Sequence, residues 1–384
     1  MTEEDWSWWS DDFASFHARF APLFHRSESR ETAVAYVRGL LSPATRKNGW
    51  QLAEVMGMAR PDRIQRLLYR THWDADQARD LYQDFVVDSF GDDEGIGVLD
   101  ETGFLKKGTE SVGVQRQYTG TAGKVTNCQV GVFLCYFGRG SQVLLDRRLY
   151  MPKSWCRDAA RCRKAKVPSE TPFATKPELA VQMLRHALDR KIPMRWIIGD
   201  EVYGNSTALR DAVIEAEKLY VLGVARHMTL FPGDGGAMET VAQRVASWSA
   251  SAWERLTVSG GEKGPRVYDW AAERVVETRE GEPGPTAWLL ARRSISDPTD
   301  IAYYFSNAPE ETPLSQLAEV ASSRYRVEQS FEQAKGEAGL DDYEVRHWHS
   351  WHRHITLSMM AHGWLTWIRD QANKKGAPIP NWRN

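Results

Sequence analysis

The sequence predicts a mixed α/β protein: a mixed sheet flanked by helices, preceded by an N-terminal helical domain and carrying a β-rich insertion. Three observations lead there. Over residues 1–90 the apolar residues recur at helical spacing. From Ile96 the pattern changes to short apolar runs, which then alternate with helical stretches as far as Ala225. Residues 226–310 are rich in Gly and Pro and hold strand-like pieces.

In the helical region, Phe13, Phe16, Phe20 and Leu23 share one face of a helix over 12–24. A second helix spans 31–41 and stops before Pro43. Residues 48–90 hold two or three more. Within them, 51–70 reads either as a helix-turn-helix with a turn at Gly57–Pro61 or as plain bundle; the former presents Arg63, Arg66 and Arg70 outward.

Three strands follow, IGVLD (96–100), 127–137 and 141–152, the last two joined by the turn GRG (138–140). A helix over 176–190 has Pro177 in its first turn. A strand at 194–200, a helix at 206–218 and a strand at 219–225 complete the core. The insertion carries strand-like pieces at 265–278, 286–295 and 300–309, and residues from 311 onward return to helix. The domains expected are therefore 1–90, 91–225, 226–310 and 311–384.

Composition sets loose bounds. With 42% hydrophobic and 26% charged residues the chain reads as a soluble globular protein. No run is apolar enough to span a membrane, and the acidic start MTEEDWSWWSDD lacks the basic region of a secretory signal, so a cytoplasmic protein is expected. The four cysteines show no zinc spacing and read as free thiols. A net charge of −2 weighs against a simple basic nucleic-acid binder, although 60–70 and 157–166 are locally basic. No phosphate-binding Gly-Lys loop occurs, so no nucleotide cofactor is expected.

Asp100 and Asp200 each end an apolar run that reads as a buried strand, and Glu328 lies on a strongly helical stretch with Arg324 and Lys335 at matching turns. Two strand-end carboxylates and one helix carboxylate are the donor set for a pair of divalent metal ions in phosphoryl transfer. The segments IGVLDETGF, WIIGDEVYG and RYRVEQSFEQAKGEAGL resemble the DDE transposases of bacterial insertion sequences, cut-and-paste branch, which share the RNase H-like fold. Arg324, Glu328 and Lys335 stand at the family spacing Arg-x3-Glu-x6-Lys; the tyrosine that should precede them falls on Ala321. The resemblance runs roughly from Ser42 to Trp367.

The resemblance implies Asp100, Asp200 and Glu328 as catalytic residues and ligands of two Mg²⁺ or Mn²⁺ ions, with Arg324 and Lys335 on DNA phosphates. It implies first and fourth strands lying side by side, an N-terminal DNA-binding region, and cleavage and strand transfer on double-stranded DNA carrying the element's terminal inverted repeats. The working complex would be at least a homodimer. A regulator that keeps the fold, and a nuclease without strand transfer, stay open beside it. Further DNA contacts are expected from Lys106 and Lys107 after the first strand and from Tyr203; in the insertion, Trp288 and Trp270 each read as stacking on a flipped base or as core. Glu101, Glu201 and Glu332 are not expected as ligands, and Gly204 is expected to allow the turn after Asp200. His347, His349, His352 and His354 form a dense cluster that, without partner ligands, reads as packing or a surface near DNA.

Overall fold

The structure, a computed structural model, describes residues 3–261 and 264–375. Five helices open the chain: α1 (Glu3–Ala18), α2 (Ser27–Leu40), α3 (Gly49–Val55), α4 (Asp62–Tyr69) and α5 (Ala75–Phe90). Strands β1 (Ile96–Leu105), β2 (Gln115–Thr119), β3 (Lys124–Gly138) and β4 (Ser141–Leu149) follow, then α6 (Lys153–Cys156), α7 (Ala159–Lys164) and α8 (Lys176–Asp189). Next come β5 (Trp196–Gly199), α9 (Glu201–Gly204), α10 (Thr207–Glu215) and β6 (Leu219–Val224). The Gly- and Pro-rich stretch forms β7 (Thr229–Pro232), β8 (Glu239–Thr240), α11 (Val241–Ala246), β9 (Glu254–Gly261), β10 (Gly264–Arg279), β11 (Glu282–Arg293) and β12 (Ile301–Ser306). Helices α12 (Leu314–Ser323), α13 (Arg326–Ala338) and α14 (Trp348–Lys375) close the chain.

Two compact units result. The first comprises residues 1–92, 101–175 and 328–384, the second residues 93–100 and 176–327. In the second unit the start of β1 pairs in parallel with β5, and β5 in parallel with β6. Strand β12 then pairs antiparallel with β6, and β11, β10, β7 and β8 continue the same sheet, with β9 on the other side of β10's first half. The strands of 229–306 therefore extend the sheet of β6 instead of building a sheet of their own. In the first unit the rest of β1 lies beside β3, and β3 carries β2 along its first half and β4 along its second.

Local chemistry explains most boundaries. Asn48, Asp74 and Ser206 cap α3, α5 and α10 with side-chain oxygens on backbone N–H groups. Arg139 and Gly140 both take positive φ, 48° and 78°, in the two-residue turn between β3 and β4. Helix α1 stops at Ala18, short of the expected 24; Pro22 falls in the next turn, a 3-10 turn at Ala21–Leu23.

Other departures have physical causes. Strand β1 does not end at Asp100 but runs on to Leu105, because Thr102 and Phe104 find buried places, Phe104 edge-on to Tyr343 and Trp351. The single helix expected through Arg324, Glu328 and Lys335 is broken at Arg324–Tyr325 into α12 and α13. Adjacent serines close α12, and the Ser323 hydroxyl donates to the Val320 carbonyl, a back-bond that bends helices. Gly204 has no positive φ; its role is close approach, since a Cβ there would stand 1.8 Å from the Gly223 carbonyl oxygen on β6.

Candidate active site

In the second unit, Leu99 of β1 is in register with Gly199 of β5. The next residue of each strand is an aspartate, so Asp100 and Asp200 leave the last registered pair side by side, about 5 Å apart along the hydrogen-bonding direction. This is the carboxyl end of parallel strands, where open α/β sheets bind ligands. Asp200 also caps α9, its Oδ1 accepting from the Val202 N–H at 2.9 Å. Asp100 is held by Arg324, whose Nη1 donates to Oδ2 at 3.1 Å, with the two side chains 14% and 32% exposed. Arg324, expected on a phosphate, thus already orients a carboxylate.

The other expected residues fall into two groups. Glu328 and Lys335 belong to the first unit. Glu328 is exposed in the first turn of α13, and Lys335 donates to Gly103 O and Thr121 Oγ1, both at 3.3 Å. Burial pushes the Lys335 ammonium down from its ordinary pKa, against the pull of Asp341 and Glu332. Lys107 is exposed. Trp288 is half-buried on β11; its indole N–H donates to Pro309 O at 3.2 Å and Arg274 lies 5.1 Å from its ring centroid.

Two contact assignments are corrected by their surroundings, and one open reading is decided. Tyr203 is fully buried, so it packs inside the unit and has no surface to offer DNA. Lys106 lies 3.5 Å from the Tyr343 ring centroid and donates to the Tyr343 carbonyl, and burial lowers its pKa to about 8. Its ammonium is therefore spent on packing. Trp270 is fully buried and stacked on Tyr304, the core alternative. Sequence patterning missed these because a strand-adjacent Lys or Tyr reads as polar surface until its neighbours are placed.

The histidine cluster is packing too. His354 bridges the Tyr36 hydroxyl at 2.8 Å and the Gly339 carbonyl at 3.0 Å, and His352 bonds Trp348 O at 2.9 Å. Burial lowers both pKa values from 6.5 to about 3, for His352 with help from Arg147. His17 and His362 are likewise pushed to about 3 and about 4 by burial. Protons bind these rings in the unfolded chain but not in the folded one, so their stability contribution is whole above pH 6.5 and is lost as pH falls toward 3. Melting temperature is expected to drop steadily from pH 6.5 to pH 4, and less so in His352→Gln; a flat profile would contradict this.

Among the described residues no three His, Cys, Asp or Glu side chains are gathered closely enough to hold a metal ion. The aspartate pair does offer neighbouring hard oxygen donors, which suit Mg²⁺ or Mn²⁺ and not a thiolate- or imidazole-seeking ion. None of the four cysteines is in a disulfide. No described helix is long and apolar enough to cross a membrane.

The family model described as DDE superfamily endonuclease matches residues 19–247, more than half of the chain. The chain belongs to the DDE superfamily endonucleases. It is similar to the probable transposase for insertion sequence element IS701 of Microchaete diplosiphon, 22% identical over 318 residues that cover 81% of this chain and 75% of that protein. The cryo-EM structure of the piggyBac transposase synaptic complex with hairpin DNA aligns at TM-score 0.42 and 11% identity, over 85% of this chain and 56% of that one. The aspartates of this DDE protein directly follow the last registered pair, Leu99 and Gly199, of two parallel strands in its second unit.

Proposed function

We propose that the chain is an active DNA transposase: it binds the ends of its element and cuts and joins DNA with a metal-dependent Asp100–Asp200–Glu328 site. The observation that carries this reading is that Asp100 and Asp200 each follow the last registered pair of the parallel strands β1 and β5, in a chain of the DDE family. Asp100, Asp200 and Glu328 would hold two Mg²⁺ or Mn²⁺ ions. When bound, such ions activate an attacking oxygen and stabilise the leaving one.

The chain's own groups have distinct parts. Asp200 is fixed by the α9 backbone and Asp100 by Arg324, so both carboxylates are oriented before substrate arrives. Arg324 and Lys335 supply positive charge for the DNA backbone, and the exposed Lys107 adds another. Helices α3 and α4, with Arg63, Arg66 and Arg70 exposed, are the DNA-binding part of residues 1–90. The relative from Microchaete diplosiphon carries the name of a probable transposase, which supports the same chemistry here. Two element ends per reaction call for a homodimer in the working complex.

The test is cleavage and strand joining on DNA carrying the flanking ends of the encoding locus, with Mg²⁺, against Glu328→Gln. Cutting and joining in the native chain, both lost in the variant, is the expected result. Cutting without joining would leave a nuclease, and tight binding without cutting a DNA-binding regulator.

A further inference from the structure

The carboxyl edge of the second unit's sheet opens on a cavity of about 390 Å³, lined on one side by Asp200 and Glu201 and on the other by arginines and tyrosines. Strand alternation explains the grouping. Arg266, Tyr268 and Trp270 share one face of β10, and the registers Trp270↔Arg292 and Arg292↔Ala302 put Arg292 on that face too. Arg226 comes from the segment just after β6.

Two features set these arginines apart. Arg266 lies 3.6 Å over the Tyr325 ring and Arg292 lies 4.6 Å over the Tyr268 ring. Stacking uses the flat face of a guanidinium and leaves its in-plane N–H donors free for a planar or tetrahedral oxyanion. Among the described residues, moreover, Arg226, Arg266 and Arg292 make no ion pair with a carboxylate. Arg255 and Arg293, on the strands beside them, both pair with Asp269. A cavity with three unpaired, partly preorganised cations is built for a phosphate. Tyr325 is the chain neighbour of Arg324, which holds Asp100, so the cations stand next to the carboxylates that would need an anionic substrate brought to them.

We propose that Arg266 and Arg292, each braced on a tyrosine, clamp a phosphodiester of the DNA strand that enters the Asp100–Asp200 site, with Arg226 adding a third charge. This rests on the DNA-processing reading above. The clamp reads no bases; it fixes the strand's position by its backbone.

The test uses the full chain in EDTA, so that nothing is cut, and follows anisotropy of fluorescein-labelled duplex carrying the element ends across a sodium chloride series. For Arg266→Gln/Arg292→Gln the slope of log affinity against log salt is expected to be shallower by about 0.9 per arginine. Affinity at low salt is expected to fall about tenfold or more per arginine. Arg292→Lys keeps the charge and therefore the slope, but loses part of the affinity. Arg185→Gln, a surface change in the same unit, is the control and should move neither quantity. Should the double variant melt early, Arg226→Gln on an exposed side chain still reports the third charge.

An unchanged slope and affinity in a folded double variant overturns the clamp while leaving the cleavage reading in place. Weakened binding in the variants, together with no cutting by the native chain in Mg²⁺, keeps the clamp and removes the cleavage reading. A native chain that binds no DNA overturns both.

Discussion

Asp200→Asn is expected to lower Mg²⁺-dependent DNA cleavage by about a thousandfold or more while leaving the fold unchanged. The size follows from losing several kcal/mol of transition-state stabilisation at about 1.4 kcal/mol per factor of ten. The choice of Asn follows from the geometry. Asp200 has a second task, capping α9 through the Val202 N–H at 2.9 Å, and Asn caps a helix as well as Asp does. The variant therefore removes the negative charge and keeps the cap. Asp200→Ala removes both, and its loss of activity would be mixed with about 1 kcal/mol of lost stability. Cleavage rate and melting temperature measured on both variants separate the two tasks. Native-rate cutting by Asp200→Asn would take this residue out of the metal site.

Glu277→Ala is expected to destabilise the second unit by about 3–5 kcal/mol, enough to unfold a chain of ordinary stability on modest warming. Glu277 and Arg210 are both fully buried, with Arg210 Nε donating to Oε2 at 2.9 Å. Tyr220 donates its hydroxyl to Oε1 at 2.6 Å, and Arg279 donates to Oε2 as well. The carboxylate thus ties β10 to α10 and to β6. Its removal leaves the Arg210 guanidinium buried with only the Gly204 carbonyl as a partner among these contacts. Desolvation with no compensating charge is the dominant cost. Denaturant unfolding of Glu277→Ala against Glu277→Gln measures it. A loss under about 1 kcal/mol would show that water or a shifted side chain replaces the carboxylate.

The core elements were legible in the sequence because their signals are local. Helix α8 begins with Pro in its first turn, and β5 and β6 are short apolar runs ended by Asp200 and Ala225. The same locality made the aspartate pair readable, since each acid closes such a run. What failed were features decided by distant neighbours. The break at Arg324–Tyr325 depends on a serine back-bond and on the pull of Asp100 on Arg324. The burial of Tyr203 and the packing of Lys106 on Tyr343 depend on partners many residues away. Arg266 and Arg292 were invisible as a group: they lie 26 residues apart in sequence, beside Val267 and Ala291, and only the β10–β11 register puts them on one face.

The pairing of Tyr303–Ser306 with Val221–Val224 covers what would otherwise be a sheet edge. A parallel sheet that ended at β6 would present a bare row of backbone N–H and C=O groups, flanked by the buried Val221, Leu222 and Val224. Strand β12 occupies that row, and the sheet is carried outward until it finishes on the two residues of β8. Short terminal strands are poor templates for a second chain. The stretch between β6 and α12 is thereby also a guard against edge-to-edge aggregation, and trimming it to reach a shorter chain would remove that protection along with the cavity it helps to build.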